Sequence, residues 1–141
     1  MKRRVSGLAN EKLSENIKEG EAMNTRQAVL AFSQGEKVKA GLIWASQLIG
    51  TLDSVFGGER YETRQVGIAL IEMIRQDVGL AKRVADDGRW EDVDNAIEKA
   101  LTMISSGVMA ESVRHLTKAL SHVTTIVQRA MEFLNEKGIL K

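Results

Sequence analysis

The chain has 141 residues, a length for one domain and a tail at most. It is 43% apolar and 28% charged, carries 20 Lys+Arg against 19 Asp+Glu, and contains neither cysteine nor proline. That excludes disulfides, thiolate metal sites and a Cys nucleophile, and the balanced charge argues against a nucleic-acid or lipid surface as partner.

Missing proline is the more informative of the two absences. Average usage would give about seven, and proline is what ends helices and punctuates turns. Aromatics are only 4%, which is thin for a β-sandwich. The expectation is therefore all-helical.

Residues 1–22 are charged and show no continuous apolar stripe. They read as a disordered tail ahead of a single domain at 23–141. Lys18-Glu19-Gly20 can be encoded by a ribosome-binding-like sequence, with Met23 at a start-codon distance, so Met23 is a candidate true start. Met1-Lys2-Arg3-Arg4 is not followed by an apolar segment, so no signal peptide is expected. The longest uncharged run is 40–52, thirteen residues, against the roughly 20 a membrane span needs. The expected location is the cytoplasm, with no membrane partner.

Asn24 with Gln27 is a capping-box-like start, and Ser33 with Glu36 is a second. They suggest a short helix over 25–34 and a helix over 36–56, either continuous with each other or broken at Gly35. The seam of that helix is Val38, Leu42, Ala45, Ile49, Leu52 and Phe56, with Trp44, Leu48 and Val55 beside it. Gly41 and Ala45, four apart, offer a seat for a crossing helix.

Gly57 and Gly58 end that segment, and a third pattern runs over 60–86. Its apolar arc is Val66, Leu70, Met73, Leu80 and Val84, flanked by Ile71, Ile74, Val78 and Ala81. Asp77 falls near the centre of this arc. A buried, unpartnered carboxylate is costly, so it must be paired, hydrogen-bonded or protonated. It is either a binding element or evidence that the helix turns, or bends at Gly79, to bring it to solvent or a lysine.

Asp87 and Gly88 precede a helix over 90–105. The acids of 86–94 do not match a calcium loop, because Arg83 and Ala85 fall where carboxylates are required. They suit the start of a helix instead. The last helix, 109–137, has Met109, Val113, Leu116, Leu120, Val123, Val127, Ala130 and Leu134 at a heptad spacing. Together these segments predict an up-and-down antiparallel four-helix bundle, with room for a short extra helix at the front.

Trp44 and Trp90 read first as core anchors, and as binding residues if exposed. His115 and His122 are seven apart on the last helix, too far to share one metal, and neither completes a Glu-x-x-His pattern. No metal and no cofactor are expected. His115-Leu116-Thr117-Lys118-Ala119 loosely resembles the phosphoacceptor segment of histidine phosphotransfer domains, in which a mid-helix histidine is followed by a lysine and a small residue. It departs from them in the leucine after the histidine and the alanine in place of glycine. The resemblance implies His115 as phosphoacceptor and Lys118 as its cationic neighbour.

No catalytic constellation or phosphate loop accompanies these residues. Helices of about 16 and 29 residues span roughly 24 Å and 44 Å, which leaves part of the longer one without a partner. The functional expectation is a non-enzymatic protein that binds another helical protein or itself, as a homodimer, and not nucleic acid.

Overall fold

The computed structural model describes residues 24–85 and 87–138. The readings of residues 1–22 as a tail and of Met23 as the start lie outside them. Four helices follow in order: α1 Thr25–Phe56, α2 Tyr61–Val84, α3 Arg89–Ser105 and α4 Met109–Glu136. Each packs on its sequence neighbour, and α4 closes the ring on α1. The described residues form an all-α, up-and-down four-helix bundle.

Asn24 caps α1 as its spacing predicts, its Oδ1 accepting from Gln27 N at 2.8 Å. α1 runs unbroken through Ser33 and Gly35, so the segment 25–34 is continuous with the next and no break occurs at Gly35. A Cβ on Gly35 would stand 2.5 Å from Val127 Cγ2, so the glycine marks a close approach to α4 and not a break. Gly58 meets Met109 at the opposite end of the same pair, which makes α1 and α4 antiparallel. The register that Gly35 sets against Val127 carries the buried Ala28 and Ala31 of the first turns of α1 to the level of Ala130 and Leu134, which are buried too. These first turns cover the stretch of α4 that the shorter α3 leaves open, so the length mismatch does not strip α4.

Gly57, with φ 89, ends α1 in a conformation that L side chains rarely adopt. Asp53 secures the turn: its backbone oxygen accepts from Gly57 N and its Oδ1 from Gly58 N. Asp87 starts α3 in the manner expected of the acidic run, its Oδ1 accepting from Arg89 N at 2.9 Å.

The core is one continuous aliphatic cluster around Trp90, which is 1% exposed. The buried face of α2 is rotated from its predicted arc, and that of α4 is wider than its predicted seam. In α2 the buried residues are Ile71, Ile74, Val78 and Ala81, while Val66 and Met73 of the predicted arc are exposed. In α4 Ser112, Ala119 and Ile126 are buried alongside Leu116, Val123 and Val127, and Val113 and Leu120 sit at the margin. Ser112 tolerates burial because its hydroxyl donates to Met109 O at 2.6 Å.

Candidate functional site

Rotation of α2 settles the position of Asp77. With Ile74 and Val78 turned inward, Asp77 moves to the edge facing α1. Its Oδ1 lies 3.5 Å from Lys37 Nζ, the two side chains being 38% and 50% exposed. Asp77 is thus a paired, partly solvated residue, as the turned-helix reading expected. Gly79 lies within the unbroken α2.

The Lys37–Asp77 pair also sets the register of α1 against α2. Gly41 faces Ile74 one turn further along, at ordinary contact distance, so α2 is the helix seated at Gly41. Extending that antiparallel register brings Trp44 level with Leu70, Leu48 with Val66, and Leu52 with Thr63.

Along this seam lies the outer face of α1 and α2. Trp44 is 52% exposed there, Val55 63%, Phe56 54%, Val66 48% and Met73 59%. Leu48, Leu52 and Leu70 are half-buried among them. Core positions were expected for Trp44, Val55, Phe56, Val66 and Met73. That expectation fails for a geometric reason: each stripe is wider than one neighbour can cover, and α4 and α3 take only the inner half. No ionised side chain occurs at 40–52 of α1 or at 65–71 of α2, and the register places these stretches against each other. At one end an open apolar cavity of about 210 Å³ lies among Leu52, Phe56, Thr63 and Val66, with Arg60 and Glu62 at its mouth. The uncharged run at 40–52 was visible in the sequence; that it would be matched across α2 was not.

Trp90 has the opposite fate. Its ring fills the core and offers no surface to a partner.

Two other outer seams are polar. Between α2 and α3, Arg75 pairs with Glu98 at 2.6 Å, and Lys82 with Glu91 at 2.8 Å and Asp94 at 2.9 Å. Between α3 and α4 a groove of about 260 Å³ is lined by Asp92, Asn95, Lys99, His115, Lys118 and His122. It brings His115 and Lys118 together, as the sequence motif required. It adds Lys99 and Asp92 from α3, which spacing along one helix could not reveal as neighbours, and His122 two turns further along α4. Neither Lys99 nor Lys118 has an ion pair among the described residues. Among the described residues no three His, Asp or Glu side chains converge as metal ligands. No described helix is long and apolar enough to cross a membrane.

No protein-family model, no curated protein and no solved structure matches this chain.

Proposed function

We propose that this chain is a non-enzymatic interaction protein of adaptor or chaperone type, which docks an apolar helical surface on its α1–α2 face. The observation that carries the reading is the gathering of Trp44, Val55, Phe56, Val66 and Met73 on one face whose centre, over 40–52 and 65–71, carries no ionised side chain. Monomeric proteins rarely expose contiguous apolar patches beyond a few hundred Å², and interface centres are depleted of charge and enriched in aromatics and Met. The balanced net charge of +1 supports a partner other than nucleic acid, and a cytoplasmic setting goes with this reading.

The test is a photo-reactive amino acid placed at position 44 of the full chain in its native host, with position 128 on exposed α4 as the control. Protein adducts should form from position 44 and not from position 128. If position 44 gives no protein adduct, to itself or to another chain, the face is not a docking surface.

A second reading has its own observation, the groove that sets Lys99 and Lys118 beside His115. There the chain would act as a phosphotransfer module. An imidazole nitrogen of His115 attacks the phosphorus of a donor, an N–P bond forms as the donor's P–O bond breaks, and the two ammonium groups offset the phosphoryl charge. Incubation with labelled acetyl phosphate tests it. Acid-labile label that is lost in His115→Ala and kept in His122→Ala would favour it, and absence of label would remove it.

A further inference from the structure

We infer that the occupant of the α1–α2 face is a second copy of this chain, each copy inserting Trp44 into the other's cavity beside Leu52, Phe56 and Val66. This rests on that face being a protein-docking surface and adds the identity of the partner.

Area is the first argument. The exposed fractions of Trp44, Val55, Phe56, Val66 and Met73 correspond to roughly 500 Å², given that an aromatic side chain alone presents about 150–250 Å². With the half-buried leucines and the polar margin the face approaches the roughly 800 Å² per partner of a standard interface.

Charge is the second. A two-fold interface puts the same patch on both sides, so a residue on the axis meets its own copy and a charge there meets its own sign. The α2–α3 seam carries Arg75 and Lys82 with their acids, and the α3–α4 groove carries Lys99 and Lys118. The α1–α2 centre, free of ionised side chains over 40–52 and 65–71, meets its copy with no like charges to bury.

Geometry is the third. Along α1, Trp44 lies eight residues, about 12 Å at the helical rise, from Leu52 at the cavity. A two-fold axis perpendicular to the helices near Leu48 exchanges the two positions, so one rotation seats both indoles at once. The cavity, about 210 Å³, has room for an indole, since an apolar cavity of about 150 Å³ already accommodates benzene. Arg60 and Glu62 at its mouth supply the polar rim that such anchors have. The two α1–α2 pairs then form an intermolecular four-helix layer.

Light scattering coupled to size exclusion on the full chain, over a tenfold concentration range, tests the inference. The expected mass is twice 15.6 kDa. Trp44→Asp and Val66→Asp, both at exposed positions, should each restore the single-chain mass with unchanged helical circular dichroism, and Gln128→Asp should remain dimeric. Acrylamide quenching of the wild-type chain needs no variant: one of its two tryptophans should gain access to quencher on dilution below the dimer's dissociation constant. A wild-type monomer at every concentration overturns the inference, as does a dimer that survives both substitutions or shows unchanged quenching on dilution. A monomer whose position 44 still crosslinks to a different protein overturns the second copy alone and leaves the docking surface standing.

Discussion

Gly35 of α1 stands hard against Val127 of α4: a Cβ on the glycine would stand 2.5 Å from the valine Cγ2. Valine is stiff at χ1, so its methyl cannot swing away cheaply. Gly35→Ala gains up to about 1 kcal/mol of helix propensity but overpacks the interface by about 1–3 kcal/mol. The expected net effect is destabilisation of about 1 kcal/mol in urea unfolding. Val127→Ala in the same chain should remove the clash, so the double variant should lose less than the two single losses added together. Gly50→Ala and Gly79→Ala meet nothing within 4 Å and should stabilise by up to about 1 kcal/mol.

The two tryptophans should separate cleanly. Trp90 fills the core, and its truncation to alanine should cost about 3–5 kcal/mol. Its indole N–H is buried without a hydrogen-bond partner, so Trp90→Phe sacrifices packing and no hydrogen bond. Trp44→Ala, measured at concentrations where the chain is monomeric, should shift stability by less than about 0.5 kcal/mol. A loss at Trp44 comparable to that at Trp90 would mean that Trp44 packs into the fold.

Asp77 should matter little to folding. Its bond to Lys37 joins two side chains that water reaches, and exposed pairs are worth about 0–1 kcal/mol. Asp77→Leu should therefore be close to neutral or slightly stabilising by urea denaturation. A loss of several kcal/mol would mean that the carboxylate serves the interior.

Lys82 gives the fold an alkaline dependence. Its hydrogen bonds to Glu91 and then Asp94 hold the ammonium above its ordinary value of 10.5. A group raised on folding contributes stability in full below its unfolded value and loses it as pH climbs through the folded one. Lys82→Met should lower the urea midpoint modestly near pH 8, and the gap to wild type should close above pH 10.5. A gap that stays constant across that range would assign the effect to packing of the lysine stem.

Much of the fold was legible from local chemistry. Without proline, helices are the cheapest way to satisfy the backbone, and Gly57, Asp87 and Gly107 stand where they stop or start. These signals act within a few residues and need no partner. The rotation of α2 was not legible. Val66, Leu70 and Met73 repeat at the same helical period as Ile71, Ile74 and Val78, and hydrophobicity alone ranks the two arcs alike. The choice belongs to α3 and α4, which cover one arc and leave the other outside. The same covering carried Asp77 out to Lys37, sent Trp90 inward and Trp44 outward, and made Gly35 a contact with α4. It also placed Lys99 beside His115, two residues sixteen apart that share no helix. The sequence by itself determined where the chain is helical, because caps, turns and periodicity are properties of neighbouring residues. Only the tertiary structure decided which apolar face remained for a partner, because burial is set by what the other helices cover.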